Sequence, residues 1–439
     1  MESTLAQKIR RSLDVSWKEG IPAAVMLGVT EYYVVPYGLF LGATIRQIGL
    51  LVALPQLAAS CATLFADEAL RLIGTRLALI VRMTSFQAAL LLPVAFLALA
   101  PDLPGRTVLL ILLMVAFRVV ANLIGPAWGS LMSDYLPAQK RGRYFGARSR
   151  VVGAAQVAGM GAAGGVLFLT KATSPSAGFC LIFLGAAIAR AFSTTLLSRM
   201  ADLPLHSSPG SHFTFLMFLR RFRESNFVKF TLFASGILFA THLAAPFFSV
   251  YMLRDLKWNY LQYMMVHLAG VIAGILILPV WGRHADIVGN ARVLKATGLM
   301  VPFIPIFWLF SRHPAALFVV ELFSGFAWGG FNLCATNFIY DSVTPEKRVR
   351  CIGYFNLING IAIFAGTSLG GLLAERLPPL LGFRILTLFL LSAGARLAVY
   401  GLLSPNFQEV REQKSRVSSV QLFFSVIGIR PLAGLGQEE

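Results

Sequence analysis

The sequence consists of a long series of apolar runs, each about 20 residues or more in length, separated by short polar segments. A helix rises 1.5 Å per residue, so a run of about 20 residues crosses roughly 30 Å of hydrocarbon. A transmembrane barrel would alternate apolar and polar residues, whereas stretches such as LILLMVAF do not alternate. Charged residues make up 13% of the chain, against about 25% in soluble domains. The runs therefore predict an all-α membrane protein.

Twelve runs are long enough to span a membrane, six in each half of the chain. The predicted spans are residues 18–42, 45–66, 77–100, 106–133, 144–170, 176–198, 227–251, 260–282, 293–311, 314–340, 351–375 and 379–403. They divide the chain into an amino-terminal segment (1–17), a first six-helix bundle (18–198), a linker (199–226), a second six-helix bundle (227–403) and a tail (404–439).

The two halves carry a similar basic loop after their fourth spans. Residues 134–164 and 341–371 share ten identities in 31 positions, where composition alone gives about two or three. Each copy begins with an aspartate, Asp134 or Asp341, and an arginine pair follows seven and nine residues later. These pairs are Arg141 with Arg143 and Arg348 with Arg350. The repeat indicates two pseudo-symmetric bundles, and we expect each aspartate to pair with a basic residue on the cytoplasmic face.

The net charge of +18 does not indicate a nucleic-acid partner, because the basic residues follow the sidedness of the predicted spans. Of the 38 lysines and arginines, 26 lie in or beside the segments on one side, 7 lie on the other side, and 5 lie within spans. Basic residues are enriched on the cytoplasmic side of membrane proteins. We therefore expect a multi-pass protein of the cell membrane with both termini in the cytoplasm.

No motif predicts a cofactor, a metal site or an enzyme. The four cysteines have no CxxC spacing and are expected to be small packing residues. The sequence has no GxxxxGK[ST] loop for a nucleotide, which disfavours a primary pump. It also has no clustered nucleophile or carboxylate pair with usable spacing.

The loop after the eighth span reads GRHADIVGNAR, with Gly282, Asp286, Gly289 and Arg292 in the pattern GxxADxxGxxR. With the two six-helix halves, this motif resembles the major facilitator superfamily over about residues 18–403. The resemblance implies a bacterial-type transporter that acts as a monomer and holds a small-molecule substrate near the membrane midplane. It also implies that the motif forms a cytoplasmic latch, in which an aspartate near a helix amino terminus bonds in one state and opens in the other.

The corresponding loop of the first half, FADEALRLIGTR, departs from this pattern. Asp67 lies seven residues before Gly74 instead of three, and Arg71 occupies the usual acidic place. Either the latch is shifted in register or only the second half has one.

Charged residues inside the spans are the strongest functional candidates, because they are unfavourable in lipid unless paired or facing a cavity. Glu31 lies roughly 20 Å past Lys18, and Arg118 lies roughly 18 Å past Arg106 from the other side, at 1.5 Å per residue. Both therefore lie near mid-membrane. Arg118 with Asn122 one turn later resembles the RxxxQG-type motif of proton-coupled family members. Three interpretations stay open: a proton-coupling pair, a static structural pair, or no contact.

Other membrane residues are weaker candidates. His242 and Glu321 are further proton-coupling candidates, although a membrane histidine such as His242 or His267 is more often a packing residue. Arg190 and Arg396 are expected to snorkel to lipid phosphates. Residues on helices that line the family's central cavity are substrate-contact candidates, and half of them are expected to bond between helices instead. These are Tyr32, Tyr37, Gln56, Asn122, Trp328, Asn332, Asn337, Asn356 and Asn359.

Together these features predict a secondary active transporter that moves a small organic solute by alternating access, coupled to protons. The alternatives are a drug/proton efflux antiporter and a non-transporting membrane receptor of the same fold. GMGAAGG is similar to the family's antiporter motif GPxxGG, but Ala162 replaces the proline. The direction of transport therefore stays open.

Overall fold

The computed structural model describes residues 2–136, 138–203 and 225–410, and the side chains of residues 2–6, 138–143 and 345–350 lie outside the described part. Most of the predicted linker and tail therefore falls outside the description. Arg141, Arg143, Arg348 and Arg350 are also among the side chains that are not described. Their predicted role in the latch remains a prediction.

The described residues form helices and short turns, and no β-strand occurs in these three ranges. The helices of the first half are α1 (Glu2–Tyr32), α2 (Val34–Phe40), α3 (Ile45–Ala62), α4 (Ala66–Ile73), α5 (Arg76–Phe96), α6 (Arg106–Tyr135), α7 (Ala138–Thr170) and α8 (Pro175–Leu197). Those of the second half are α9 (Asn226–His242), α10 (Ala245–Val250), α11 (Tyr260–Val288), α12 (Asn290–Met300), α13 (Phe303–Phe307), α14 (Pro314–Ser342), α15 (Pro345–Arg376) and α16 (Arg384–Leu403).

The all-α membrane fold is confirmed. Within the described residues, ten helical segments are long and apolar enough to cross a membrane, and α1 with α2 makes an eleventh bent by 47°. The predicted span 293–311 is divided into α12 and α13, because Pro302 and Pro305 lie in this run and each lacks the amide proton that a continuing helix needs. The break leaves two helices that are each too short to span alone.

The chain forms two compact units. Among the described residues, the first comprises 2–136, 138–203 and 249–264, and the second comprises 225–248 and 265–410. In the first unit α1 packs on α7 and α8, α5 packs on α6 and α8, and α3 packs on α6. In the second unit α9 packs on α15 and α16, and α12 packs on α14. Residues 249–264 thus belong to the first unit although they lie in the second half of the sequence.

A repeated glycine explains part of the internal similarity. Gly159 on α7 lies against α1, where an added Cβ would be 2.8 Å from the Cα of Val25. Its repeat partner Gly366 on α15 lies against α9, where an added Cβ would overlap the carbonyl oxygen of Phe239. Small residues allow membrane helices to approach this closely. The repeat therefore preserves the same type of helix crossing in both units.

Gly366→Ala is expected to destabilise the second unit by about 1–3 kcal/mol, because the methyl group must displace the backbone of α9. Gly353→Ala is the matched control, since Gly353 lies on the same helix and has no atom within 4 Å of an added Cβ. The measurement is the free energy of unfolding of both variants, from denaturant titration in detergent micelles. Equal losses of stability would contradict the close crossing of α9 and α15.

Candidate functional site

Glu31 and Arg118, predicted from opposite ends of two spans to lie at mid-membrane, are in contact in the first unit. The Arg118 guanidinium donates to the Glu31 carboxylate at 2.7 Å, and the side chains are 30% and 34% exposed, respectively. The no-contact interpretation is therefore excluded. Each side chain is about one-third exposed, so the pair is not enclosed in packed interior.

The pair lies beside the bend between α1 and α2. Glu31 is in the last turn of α1, and the chain bends by 47° before α2 begins at Val34. Tyr33, at the bend, is fully buried and donates its hydroxyl to the carbonyl oxygen of Met160 on α7 at 2.9 Å. The carbonyl of Tyr32 accepts a hydrogen bond from the hydroxyl of Tyr263 at 2.7 Å. The backbone next to Glu31 is thus held by two tyrosine hydroxyls.

The predicted substrate contacts separate into exposed and buried residues. Tyr37 is fully buried, donates to the carbonyl of Val94 at 2.7 Å and stacks on Phe179. Asn359 is 9% exposed and accepts a 2.7 Å hydrogen bond from Ser235. In this structure these two side chains bond within the packed interior. The remaining candidates are at least partly exposed: Tyr32, Gln56, Asn122, Trp328, Asn332, Asn337 and Asn356.

The other proton-coupling candidates lie in the second unit. The ring nitrogen Nδ1 of His242, the last residue of α9, is 3.5 Å from the hydroxyl of Thr367. The Glu321 carboxylate lies over Gly270 of α11, 3.0 Å from where an added Cβ would stand. Among the four candidates, only Glu31 and Arg118 form an ion pair in the described part of the chain.

Arg396 is almost fully buried, at 1% exposure, so the expectation that it snorkels is wrong. Its guanidinium donates to the carbonyls of Val301 at 2.9 Å and Thr241 at 3.5 Å, and to the hydroxyl of Ser392 at 3.2 Å. Thr241 lies in the last turn of α9, and Val301 follows α12. The last carbonyls of a helix lack helical donors and form the negative end of its dipole. Arg396 therefore stabilises two helices that end inside the bundle.

Arg190, at 7% exposure, does not snorkel either, because it belongs to a buried network in the first unit. Its guanidinium donates to Gln87 at 2.6 Å and to Ser193 at 3.4 Å. Ser193 donates to Glu19 at 3.1 Å, and Arg148 donates to the other carboxylate oxygen of Glu19 at 2.7 Å. The network joins α1, α5, α7 and α8. Sequence reasoning missed it, since Glu19 lies at the edge of the first predicted span, where a charged residue is ordinary.

The duplicated Asp134 forms an ion pair inside the first unit. Its carboxylate lies 2.6 Å from the guanidinium of Arg76, the first residue of α5. Arg76 is 2% exposed and also donates to Ser130 at 2.8 Å and to the carbonyl of Leu203 at 3.0 Å. Pairing of Asp134 with a basic residue occurs as expected, although the partner is Arg76. This contact involves neither Asp67 nor Arg71, so both alternatives for the first-half loop remain predictions.

The second unit repeats this arrangement with an amide in place of the guanidinium. Asn290, the first residue of α12, donates its side-chain amide to Asp341 at 2.7 Å. Asp341 and Asp134 are repeat partners, and each accepts from the first residue of a helix that follows the latch loop. Gly289, which precedes α12, has φ +90°, a conformation that favours glycine. The signature glycine is thus required by the backbone at the start of α12.

Three similar solved structures have the same architecture. A variant of the nucleoside transporter NupG has a TM-score of 0.70 and 15% identity over 90% of this chain and 100% of that one. A bacterial homologue of the iron transporter ferroportin, in an inward-facing state, has a TM-score of 0.69 and 14% identity over 90% of this chain and 98% of that one. A D-xylose–proton symporter has a TM-score of 0.67 and 11% identity over 93% of this chain and 99% of that one. These identities establish the fold alone.

The fold and its long apolar helices define a multi-pass α-helical membrane protein. Residues 230–434 match the sequence profile of the Major Facilitator Superfamily. The predicted resemblance to this superfamily is therefore confirmed, with the substrate unassigned. No curated protein matches the chain by sequence.

Proposed function

We propose that this protein is a secondary active transporter that moves a small organic solute by alternating access, driven by a proton gradient. The observation that carries the proposal is the Glu31–Arg118 ion pair, which joins α1 to α6 next to the bend between α1 and α2. Charged residues in membrane helices are rare and commonly mark proton or substrate pathways.

The pair supplies a simple means of coupling. A proton that binds the Glu31 carboxylate removes its negative charge, so the attraction that holds Arg118 is lost. The two helices are then free to adopt a second arrangement, because the bond favoured only one of the two states. Arg118, released from Glu31, becomes available to an acceptor group of the solute, such as a hydroxyl or a carbonyl oxygen.

The partly exposed polar side chains of the first unit favour a polar organic solute. Partly exposed amide and phenol groups of the first unit, those of Gln56, Asn122 and Tyr32, are proposed to donate to and accept from such a solute. Two similar structures are a nucleoside transporter and a sugar–proton symporter. Nucleosides and pentoses are therefore the first solutes to test, with amphipathic cations as probes of the efflux alternative.

The test is solute-dependent proton movement. The full chain is reconstituted into vesicles that contain a pH-sensitive dye, and each solute is added outside at zero membrane potential. We expect one solute class to acidify the lumen as it enters. Proton movement opposite to the solute would establish an antiporter instead. Binding in a thermal-shift screen without flux of any bound solute would favour the receptor alternative, and empty vesicles give the background.

We further propose that both termini face the cytoplasm of the cell that makes the protein, on the basis of the 26 to 7 division of basic residues. A reporter enzyme active only in the cytoplasm should be active when fused after Val410 and inactive when fused within the turn at residues 171–174. The reverse pattern would overturn the proposed orientation and the sidedness of both latches.

A further inference from the structure

The segment after α16 is fixed to the second unit at two residues, Phe407 and Gln408. Phe407 is fully buried and packs against Phe230 and Phe233, with ring centroids 6.0 and 5.1 Å away. Asn226 and the backbone of Gln408 exchange two hydrogen bonds of 2.8 Å. These contacts place the next residue, Glu409, at the start of α12.

The Glu409 carboxylate accepts a hydrogen bond from the backbone amide of Ala291 at 2.7 Å. It also occupies the space in which a Cβ at Gly289 would stand. Gly289 is therefore constrained twice: its φ of +90° favours glycine, and a side chain would displace Glu409. Ala291 is the second residue of α12, and its amide is one of the four that a helix cannot satisfy internally.

In the first unit, a side chain of the preceding residue satisfies a free backbone amide at the start of α5. The residue before α5 is Thr75, whose own side chain accepts from the amide of Ala78 at 3.2 Å. At the corresponding place before α12 stands Gly289, which has no side chain to act as a cap. The two helices are otherwise equivalent, because Arg76 and Asn290 at their first positions bond the repeat partners Asp134 and Asp341.

The segments after the last helices of the two units are also equivalent. The stretches ARAFSTTLLS and ARLAVYGLLS are offset by 206 residues, and the same offset relates Leu203 to Glu409. The carbonyl of Leu203 accepts from Arg76 at the start of α5, and the carboxylate of Glu409 accepts at the start of α12. In each unit, the segment after the last helix thus contacts the start of the helix that follows the latch loop.

We propose that Glu409 is a positioning residue, which supplies from outside the helix the cap that Gly289 lacks and so holds the signature loop between α11 and α12. The carboxylate also suits this place electrostatically, because the start of a helix carries partial positive charge. In transport, this contact fixes the start of α12 against Asp341 while the latch opens and closes.

Hydrogen exchange on the full chain in detergent tests the cap without a substrate. Glu409→Ala should accelerate exchange of the first amides of α12 by roughly 2- to 30-fold, the effect of losing a helix cap. Glu409→Gln, which keeps an acceptor oxygen, should restore most of the protection. Val410→Ala is the matched control because Val410 is the exposed neighbour, and the amide of Ala78 in the first unit is the internal reference.

Unchanged exchange at α12 in Glu409→Ala would overturn the proposal, as would an equal rise at Ala78 or in Val410→Ala, since both indicate general loosening. If Glu409→Ala does not fold, Glu409→Asp is measured instead, because its shorter carboxylate withdraws from the Ala291 amide.

A second experiment, which rests on the proposed function, measures solute flux in vesicles. Glu409→Ala should lower the maximal rate several-fold at an unchanged half-saturating concentration, and Glu409→Gln should restore the rate. An unchanged maximal rate would overturn the positioning role. Absence of flux in the unmodified protein would overturn the proposed function instead, and hydrogen exchange alone would then decide whether Glu409 is the cap.

Discussion

Glu31→Gln is expected to abolish accumulation of solute against its gradient while leaving exchange of solute across the membrane measurable. The neutral amide mimics the protonated carboxyl group permanently, so the bond to Arg118 at 2.7 Å can no longer be made and broken by a proton. Exchange needs only the movement of the loaded protein, whereas accumulation needs the proton to bind and leave. The measurement is uptake in vesicles with and without a pH gradient, with the solute identified by proton movement.

Asp102→Asn is the matched control, because Asp102 is an exposed carboxylate of the first unit that lies in the loop before α6. Arg118→Ala should also reduce uptake, but its effect on stability is expected to be smaller than that of breaking a buried pair. Both side chains are about one-third exposed, so the remaining carboxylate is not enclosed in packed interior. Gradient-driven uptake by Glu31→Gln at the unmodified rate would show that the proton binds elsewhere. Glu321 and His242 would then be the next candidates.

Glu19→Ala is expected to lower the free energy of unfolding of the first unit by about 3–5 kcal/mol, the typical effect of removing one partner of a buried ion pair. Glu19 is 3% exposed, and its two carboxylate oxygens accept from Arg148 and Ser193. Without Glu19, Arg148 and Arg190 keep their positive charges but lose the negative charge that this carboxylate supplies. Denaturant unfolding in micelles measures the loss.

Glu68→Ala is the control for this experiment, since Glu68 is an exposed carboxylate on α4 of the same unit. Its removal should change stability by less than about 0.5 kcal/mol, as is usual for surface substitutions. Glu19→Gln should fall between the two, because the amide oxygen still accepts from Arg148 but carries no charge. A loss for Glu19→Ala no larger than for Glu68→Ala would show that the network contributes little to folding.

Part of the site was predictable because it depends on distance along a helix. Counting residues from the ends of two spans brought Glu31 and Arg118 to the same depth, and the structure shows the contact. Counting does not give the rotation of each helix about its axis. Tyr37 and Asn359 illustrate this, because they lie at suitable depths but point into packed interior, where each forms a hydrogen bond with a neighbouring helix.

The arginines of the last spans show where reasoning from a single helix fails. Snorkelling was expected for Arg190 and Arg396, since each lies about two turns from a cytoplasmic helix end. A buried alternative needs acceptors from other helices, which the helix itself does not reveal. For Arg190 this acceptor is Gln87 on α5, and for Arg396 the acceptors include the carbonyls of two helices that end inside the bundle.

The sequence by itself determined the class of fold, the number of predicted spans and the internal repeat, because transfer of apolar side chains into lipid and the spacing of small residues are properties of local segments. Only the tertiary structure decided the partners: Arg76 for Asp134, Asn290 for Asp341, and Glu409 for the uncapped start of α12. Glu409 and Ala291 are 118 residues apart. Which polar groups meet over such distances depends on how the helices pack, and similar loops in the two halves therefore acquired different partners.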